Sequence, residues 1–578
     1  MDMKVGALCA VLLFLVTSWI PAQQTPTNPP FVFRKNVVVP MRDGTQLSAN
    51  LFLPKQEGPA PVILLRTPYG KGDEQNGDAR RYCAAGYAMV IQDCRGRGDS
   101  QGIWDPFRHD IEDGFDTQEW IGHQPWCNGS IGTAGGSYGG WTQWSAASQG
   151  SRFLKCMVPV VPFCHAYDDA AYLGGGFQLS LLFGWGTAVS GLKIDPAKLT
   201  QAFHYLPLKS WDEQGDKRVF FMRDWIAHPT YDDYWRARGI DHRFDRITVP
   251  VLNVGGWYDI FSKATVDAFA RVRTSSTNRL VRRNQHVIMG PWAHGAGSQK
   301  VGEIDFGAEA KLDLGKLQYE WFEYWLQGKE TGVQDWPPLR LFVMGENVWR
   351  NEQEWPLART QFTSWHLHSA GRANTSAGDG TLNGSKPEAE PADHFTYDPA
   401  HPIPTTGGNN LVGPPAGPFD QSALEKREDI LVYTSSPLEQ ALEVTGPVKV
   451  MLYASTSARD TDFTAKLVDV HPDGKAYNLC DGILRARFGE SRTATRLVEP
   501  GEVNRFEIDL GVTSNLFKPG HRMRVEVSSS NFPRFDRNPN TGHEFGADTE
   551  WVKAEQTVFH DAQHPSSILL PIIPRTSR

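Results

Sequence analysis

Residues 131–141, IGTAGGSYGGW, contain five glycines and one serine in a single short stretch. Glycine loses more conformational entropy than any other residue inside regular structure, so a cluster of five needs a physical reason. The pattern GGSYG at residues 135–139 matches the spacing GxSxG, in which a serine lies on a strained turn between a strand and a helix. SIGTA before the turn predicts the strand and WTQWSAAS after it predicts the helix, which argues against a glycine-rich turn without chemistry. The stretch therefore predicts a nucleophile at Ser137.

Five apolar runs predict a parallel sheet around this turn. Runs that are apolar on both faces are typical of strands that helices cover on both sides. They are PVILLR, YAMVIQD, KCMVPVV, PVLNVGG and QHVIMG, at residues 61–66, 87–93, 155–161, 250–256 and 285–290. The aromatic-rich segment 166–241 lies between the third and fourth runs and predicts an inserted helical cap. We assign residues 31–355 to this α/β domain.

The second half of the chain predicts an all-β domain. Residues 369–421 are rich in Gly, Pro, Ser and Asn, and this composition is too irregular for a core. In four later runs, apolar and polar residues alternate with a period of two, and turn residues separate the runs. They are VKVMLYAST, DFTAKLVDVH, NRFEIDLG and HRMRVEVSSS. Residues 356–578 are accordingly assigned to a β-sandwich.

A serine hydroxyl needs a base, and after a GxSxG turn the acid and then the histidine follow in chain order. GGWYD places Asp259 after one predicted strand, and PWAHG places His294 after the next. Asp259 would orient the imidazole, and His294 would act first as a base and then as an acid. His286 begins a predicted strand, whereas His109 and His123 precede the turn, so these three are weaker candidates for the base.

Acyl transfer also needs hydrogen-bond donors for the oxyanion. One candidate is the backbone N–H of Tyr138, the residue after the serine. Another is the phenol of Tyr69 in RTPYG, which follows an early strand. From the sequence alone, a tyrosine after proline is usually a turn residue packed on the surface.

Composition excludes several other classes of protein. A net charge of −8 over 578 residues, with no run of Lys and Arg longer than a pair, excludes a nucleic-acid partner. The six cysteines beyond residue 22 include no CxxC pair, and the chain has no HExxH, so we expect no metal site. Six cysteines permit disulfides, but the spacing does not determine their pairing, and we expect structural rather than catalytic thiols.

Residues 1–22 predict a secretory signal peptide. A single lysine precedes the apolar run 5–20, and a polar, proline-rich stretch follows. An uncleaved anchor is the alternative, because the run is about as long as a short membrane span. We expect a secreted or periplasmic protein with no stable membrane insertion after signal cleavage.

Several motifs together carry a family resemblance. They are VPMRDGTQLSANLFLP, LLRTPYG, QDCRGRGDSQG, QPWCNGSIGTAGGSYGGW, GGWYDIF, GPWAHG and DTDFTAKLVDVHPDGK, at residues 39–54, 64–70, 92–102, 124–141, 255–261, 290–295 and 460–475. With them the chain resembles the X-Pro dipeptidyl-peptidase and cocaine-esterase family of serine hydrolases, which includes α-amino-acid ester hydrolases and glutaryl-cephalosporin acylases. The resemblance extends from about residue 33 to the C-terminus.

The resemblance implies a fold and a set of site residues. The implied fold is an α/β-hydrolase domain with an inserted helical cap, followed by an all-β jelly-roll sandwich of the galactose-binding-like type. The implied triad is Ser137, Asp259 and His294, and the implied oxyanion hole is Tyr69 with the amide of Tyr138. The family needs no metal and no organic cofactor.

The substrate is less well defined by the resemblance. In the α-amino-acid ester hydrolases, acidic residues two and three positions after the catalytic aspartate help to bind the substrate ammonium, but here those positions are Phe261 and Ser262. Asp168 and Asp169 in the cap are candidate carboxylates, although acidic pairs are often solvated or cap helices. The aromatic residues near the motifs suggest an apolar acyl pocket, for which the candidates are Trp141, Trp185, Trp257 and Phe261.

We therefore expect an exported enzyme that hydrolyses acyl esters or amides of small-molecule or peptide substrates through an acyl-enzyme intermediate. An X-Pro dipeptidyl-peptidase, or an acylase of β-lactam or peptide substrates, is one alternative. A catalytically inert exported protein that binds a ligand is another, because jelly-roll domains often bind ligands. The sequence leaves open whether the chain forms a homo-oligomer.

Overall fold

A computed structural model describes residues 28–195 and 198–575, so the predicted signal peptide lies outside the described residues. The strands of the first half are β1 (Phe31–Pro40), β2 (Gln46–Pro54), β3 (Ala60–Thr67), β4 (Ala88–Asp93), β5 (Cys127–Gly136), β6 (Leu154–Val160), β7 (Tyr172–Leu173), β8 (Gly176–Phe177), β9 (Val251–Gly256), β10 (Gln285–Gly290), β11 (Lys300–Val301), β12 (Ile304–Asp305), β13 (Leu339–Val343) and β14 (Val348–Glu352). Ten of these strands form one sheet in the order β1-β2-β4-β3-β5-β6-β9-β10-β13-β14. The strands from β4 to β13 in that order are parallel, and the outer pairings at both edges are antiparallel.

The α-helices of this half connect its strands or belong to the cap. They are α1 (Gly77–Ala84), α2 (Asp110–Gly122), α3 (Tyr138–Ala147), α4 (Leu179–Ser190), α5 (Leu199–Ala202), α6 (Phe220–Ala227), α7 (Asp233–Arg236), α8 (Ser262–Ser275), α9 (Arg279–Arg283) and α10 (Leu314–Gln327). The cap lies between β6 and β9 and consists of a π-helix (Ala166–Ala171), the hairpin β7–β8, α4 to α7 and short 3₁₀ turns.

Helices cover both faces of the sheet, as the apolar runs predict. In β3, Ile63 packs in one core cluster with Tyr82 of α1 and Phe322 of α10. Val62 and Leu64 belong to a separate cluster, which includes Ile121 of α2. Successive residues of a strand point to opposite faces, so β3 is buried on both.

The second half forms an eleven-stranded, mostly antiparallel sheet that is all β apart from short 3₁₀ turns. Its strands are β15 (Gln361–His368), β16 (Thr381–Asn383), β17 (Asp393–Tyr397), β18 (Leu431–Thr434), β19 (Leu442–Thr456), β20 (Asp462–Val470), β21 (Ala476–Arg485), β22 (Asn504–Phe517), β23 (Arg522–Ser528), β24 (Ala554–Phe559) and β25 (Ser567–Ile573). In β19, Val448, Val450 and Leu452 are buried and the residues between them are half-buried, which is the predicted period of two.

The structure departs from this period in β20, where all nine residues are buried. The reason is the irregular segment 369–421, which does not lie free of the core as its composition suggests. Gln421 accepts a 2.9 Å hydrogen bond from Lys466 of β20 and donates its own backbone N–H to Ala476 of β21. The segment therefore covers the polar face of this sheet and also contributes β16 and β17.

The six described cysteines are all free thiols and all buried, so no disulfide forms within residues 28–195 and 198–575. Burial raises the pKa of Cys94, Cys156 and Cys164 well above the usual value for a thiol. A buried thiol with a raised pKa is a poor nucleophile, in agreement with the expectation of structural cysteines. Among the described residues, no helix has both the length and the apolar character that crossing a bilayer requires.

Candidate active site

Ser137 lies on the turn between β5 and α3, and its backbone is strained. Its φ is 57° and its ψ is −118°, which is a conformation that side-chain-bearing residues rarely adopt. The glycines next to it make the turn possible. Gly135 has a φ of 135°, and a Cβ at that position would lie 3.2 Å from the Cα of Gly139. The GxSxG pattern thus has the local structure that the sequence predicts.

A buried polar network supports the first turn of α3. The Tyr138 hydroxyl donates a 2.8 Å hydrogen bond to Asp110 Oδ2, and Trp141 Nε1 donates to the same oxygen at 3.1 Å. The guanidinium of Arg66 lies 3.5 Å from the other carboxylate oxygen of Asp110. Because all four side chains are buried, removal of one would leave a polar or charged group without its partner. This network fixes the residue after Ser137.

Asp259 and His294 form a buried pair. His294 Nδ1 lies 2.5 Å from Asp259 Oδ2, and the backbone N–H of Phe261 donates to Asp259 Oδ1 at 2.8 Å. Asp259 is 0% exposed and His294 is 4% exposed. Within the described part of the chain, His294 Nε2 has no hydrogen-bond partner. The carboxylate therefore orients the ring through Nδ1 and leaves Nε2 for proton transfer.

The loops that carry this pair are joined by backbone hydrogen bonds. Trp257 donates its N–H to Gly290 O, and Tyr258 donates to Trp292 O, each at 2.9 Å. A Cβ on Gly256 would lie 2.1 Å from Trp292 O, so only glycine permits this approach. This explains the second glycine of the GGW motif.

The three candidate catalytic residues follow strands that end at the same edge of the sheet. Ser137 follows β5, Asp259 follows β9 and His294 follows β10, and these strands are parallel. The other histidines lie elsewhere. His286 is near the start of β10, where its Nδ1 lies 3.0 Å from Pro337 O, and His109 and His123 flank α2.

A continuous series of aromatic contacts links the Ser137 turn to His294. Tyr138 contacts Phe107 at a ring-centroid distance of 5.1 Å, and Phe107 contacts Phe163 at 5.1 Å. Phe163 contacts Phe261 at 4.9 Å, and Phe261 contacts the imidazole of His294 at 5.6 Å. The Ser137 turn and His294 therefore border the same cluster of aromatic rings.

The cap contributes Trp185 of α4 to these surroundings. Its ring is stacked on Phe107 and Trp225, at centroid distances of 6.0 and 6.1 Å. Its Nε1 donates a 3.0 Å hydrogen bond to the hydroxyl oxygen of Tyr69. Although Tyr69 is 40% exposed as a residue, desolvation around its hydroxyl raises its pKa to about 12, so the phenol stays protonated at neutral pH and keeps a hydrogen to donate.

Arg97, in the motif QDCRGRGDSQG, connects the Tyr69 loop to the cap. Its Nε donates to Pro68 O at 2.8 Å, and its Nη1 donates to Val189 O at the end of α4 at 2.9 Å. Its guanidinium also lies over the ring of Trp104 at 4.5 Å. Arg97 therefore anchors the loop that carries Tyr69 and the helix that carries Trp185, the two partners of this hydrogen bond.

The remaining predicted pocket residues have different surroundings. Trp141 lies in the aromatic cluster, stacked on Phe163 at 5.5 Å. Trp257 does not join them: its Nε1 donates to Phe342 O at 2.8 Å, and its ring stacks on Trp355. Trp257 belongs instead to the core that the two domains share.

The two cap carboxylates are already engaged by protein groups. Asp168 forms an ion pair with Arg492, which comes from the β domain. Asp169 Oδ2 accepts the backbone N–H groups of Cys164 and His165, each at 2.9 Å. Asp168 is thus paired with a cation, and one oxygen of Asp169 is occupied by two backbone donors.

Two family models match the chain in succession. The model described as X-Pro dipeptidyl-peptidase (S15 family) matches residues 43–296, and that described as X-Pro dipeptidyl-peptidase C-terminal non-catalytic domain matches residues 331–569. Cocaine esterase of Rhodococcus sp. (strain MB1 Bresler) is 38% identical over 571 residues, covering 93% of this chain and 98% of that protein. The chain belongs to the X-Pro dipeptidyl-peptidase (S15) family. The resemblance predicted from the motifs is confirmed.

Solved structures extend the likeness to the three-dimensional fold. An aminopeptidase from the marine sediment archaeon Thaumarchaeota archaeon has a TM-score of 0.81 at 25% identity, covering 97% of this chain and 99% of that chain. An α-amino acid ester hydrolase has the same fold, with a TM-score of 0.79 at 24% identity and coverage of 96% and 100%. The predicted fold class is confirmed, and as a member of the S15 family the chain is a serine hydrolase.

The sequence analysis does not predict that Asn409 supports the loop that carries Asp259. Its Nδ2 donates to the backbone oxygens of Trp257 and Asp259, at 3.0 and 2.7 Å, and approaches Ser262 Oγ at 3.3 Å. Asn409 lies in the irregular segment 369–421, where an asparagine beside glycines reads as a turn residue. Asp110 was missed for a similar reason, because an acidic residue at the start of a helix is commonly a favourable dipole partner. No sequence pattern around Asn409 or Asp110 indicates that these residues support the Asp259 loop and the first turn of α3.

Proposed function

We propose that the protein is an exported serine hydrolase that cleaves acyl esters of small molecules, with Ser137 as the nucleophile. The observation that carries the proposal is the buried pair of Asp259 and His294, joined at 2.5 Å, whose Nε2 has no partner among the described residues. The strained backbone of Ser137, at the same edge of the sheet, supports the assignment.

The proposed reaction follows from these groups. His294 Nε2 takes the proton of the Ser137 hydroxyl as its oxygen attacks the acyl carbon. Asp259 stabilises the imidazolium, which then gives the proton to the leaving oxygen. The Tyr138 N–H, which as the first of α3 has no intrahelical acceptor, and the Tyr69 hydroxyl stabilise the oxyanion. Water, activated by His294, hydrolyses the acyl-enzyme by the same steps.

The surroundings of the site favour an uncharged, apolar acyl group. Phe107, Phe163, Trp185 and Phe261 supply apolar surface next to Tyr138 and His294. An X-Pro dipeptidyl-peptidase must hold the free ammonium of its peptide, which calls for an anionic partner. Asp168 is paired with Arg492, and Asp169 Oδ2 already accepts two backbone N–H groups. This observation favours the ester over the dipeptide.

The proposal also covers the location of the protein and its substrate. The apolar N-terminal run supports a secreted or periplasmic location, since it matches a signal peptide in its lysine, its length and its flanking residues. A small-molecule acyl substrate is the proposed partner.

The test compares hydrolysis of p-nitrophenyl butyrate and of alanyl-prolyl-p-nitroanilide by the wild type, Ser137→Ala and Ser145→Ala. Ser145 lies in the same helix, is buried and bonds only within its helix, so it is a matched control. We expect the wild type and Ser145→Ala to hydrolyse the ester, and Ser137→Ala to lose about 10⁵-fold or more in kcat, as removal of a triad member does.

Two outcomes would contradict the proposal. Equal ester turnover by wild type and Ser137→Ala would exclude Ser137 as the nucleophile. Faster cleavage of the anilide than of the ester would favour the dipeptidyl-peptidase. A fluorophosphonate probe that labels the wild type at Ser137 and not Ser137→Ala would exclude the inert binding protein.

A further inference from the structure

Three potential metal ligands converge at one end of the β domain, away from the residues of the proposed hydrolytic site. Asp469 is the penultimate residue of β20, and His471 lies in the turn that leads to β21. His521 lies in the turn immediately before β23. Because β20 pairs with both β21 and β23, these two turns are neighbours.

The distances among the three side chains are close to those of a metal centre. His521 Nδ1 is hydrogen-bonded to Asp469 Oδ1 at 2.8 Å, a bond that a shared metal ion would replace, and His471 Nε2 lies 3.9 Å from Asp469 Oδ2. One ligand atom from each residue lies within 4.8 Å of the others. With bonds of about 2.0 to 2.2 Å, ligand atoms on a tetrahedral zinc ion are about 3.3 Å apart. Small side-chain rotations would bring all three atoms to that spacing.

We propose that Asp469, His471 and His521 bind one divalent transition-metal ion, with Zn²⁺ as the reference ion. Two imidazoles and one carboxylate form a mixed nitrogen and oxygen set, which suits zinc and not magnesium or calcium. The site goes beyond the proposed hydrolysis, in which the metal takes no part. It also departs from the sequence-based expectation of no metal site, because its ligands lie on turns that only the fold brings together.

The surroundings fix the ligands and leave an entrance. Asp469 and His521 are buried, whereas the side chain of His471 is 32% exposed, so an ion can enter from that side and keep a water ligand. The amide of Asn515 lies 3.4 Å from Asp469 Oδ2 and helps to orient the carboxylate. Backbone hydrogen bonds hold both turns, from His471 N to Lys475 O at 2.8 Å and from His521 N to Lys518 O at 3.1 Å.

A bound ion would cross-link two turns that contact each other through side chains. Binding to the folded state alone raises the free energy of unfolding. The inferred role is therefore structural: the ion would stabilise the end of the β domain and would leave ester hydrolysis by the intact protein unchanged.

The experiment titrates ZnCl₂ into the full-length, untagged, EDTA-treated protein by calorimetry, with Co²⁺ absorption as a spectroscopic readout. His471→Asn is the test variant, because the imidazole makes no hydrogen bond to Asp469 and its removal loses only ring contacts with Tyr477 and His521. His543→Asn is the control, since His543 forms an exposed pair with Asp548 at 2.7 Å in the same domain.

We expect wild type and His543→Asn to bind one equivalent of Zn²⁺, to gain thermal stability and to give the visible bands of low-coordinate Co²⁺. His471→Asn should bind at least about tenfold more weakly and lose the stability gain and the bands. His521→Asn should do the same while keeping ester turnover. Absence of saturable Zn²⁺ binding by the wild type, or equal affinity in wild type and His471→Asn, would overturn the proposal.

Discussion

Tyr69 carries more of the proposed chemistry than its turn position suggests. Its oxygen accepts the indole hydrogen of Trp185, so the hydroxyl hydrogen must point in another direction. Desolvation raises its pKa to about 12, which keeps that hydrogen in place across the range in which enzymes are usually assayed. A donor that is oriented before the substrate binds costs no reorganisation during the reaction.

Tyr69→Phe should reduce kcat by about 10²- to 10³-fold with little change in KM, the usual effect of losing one oxyanion donor. The measurement is steady-state hydrolysis of p-nitrophenyl butyrate. Because the pKa of Tyr69 is about 12, the wild type should show no loss of activity from this group as the pH rises from neutral toward about 10. Wild-type kcat in Tyr69→Phe would show that the phenol takes no part in catalysis.

Asp169 predicts a pH dependence of stability. Burial raises the pKa of Asp169 to about 6, above its usual 3.8. Between these values the folded state binds more protons than the unfolded state, so this group makes stability fall as the pH rises from about 4 to about 6. Asp169→Asn should remove this dependence.

The test measures the free energy of unfolding in urea at about pH 4.5 and about pH 7. Between these two pH values, the decrease in unfolding free energy should be about 1–2 kcal/mol smaller for Asp169→Asn than for the wild type. Asp216→Asn is the control: a backbone N–H from Lys193 lowers the pKa of that exposed carboxyl, so it is ionised in both states over this pH range and its removal should leave the pH response unchanged. A parallel response of wild type and Asp169→Asn would contradict the prediction.

At the scale of single elements, α4 connects the cap to the proposed oxyanion hole. Trp185→Phe keeps most of the stacked ring and removes the hydrogen bond to Tyr69. A net hydrogen bond of about 0.5–1.5 kcal/mol corresponds to a decrease of about 2- to 13-fold in kcat. Steady-state kinetics should show this decrease in kcat with a smaller change in KM.

Trp225→Phe, in α6, is the matched control for this prediction. Its ring stacks on Trp185 at 6.1 Å, but its Nε1 has no hydrogen-bond partner in the described parts of the chain. It should change KM through packing and leave kcat close to that of the wild type. Equal losses of kcat in the two variants would show that packing, and not the hydrogen bond, explains the effect of Trp185→Phe.

Elements that depend on local pattern could be predicted from the sequence. The turn at Ser137 and the order of the loops carrying Asp259 and His294 follow from short motifs whose backbone geometry is local. The two-sided burial of β20 could not, since it depends on Lys466 meeting Gln421 from a segment 45 residues away. For the same reason the sequence predicts Trp257 in the pocket, whereas in the structure its indole donates to Phe342 O, 85 residues away.

At the scale of the whole molecule, the β domain contacts both the cap and the catalytic loops. Asp536 accepts the N–H of Phe177 in the cap at 2.8 Å, and Arg485 donates to Asp536 at 2.9 Å. Asn409, from the same half of the chain, donates to the backbone of the Asp259 loop. The β domain therefore forms part of the support of the proposed triad.

Asn409 and Asn410 offer a direct test of this support, because each donates through Nδ2 to two backbone oxygens but only Asn409 reaches the catalytic domain. Asn409→Ala should displace the Asp259 loop and lower kcat by about tenfold or more, since a shift of about 1 Å can cost about 10²-fold. Asn410→Ala should lose comparable stability, measured by urea unfolding, and keep its kcat. If both variants lose kcat in proportion to their stability, the β domain stabilises the fold without positioning Asp259.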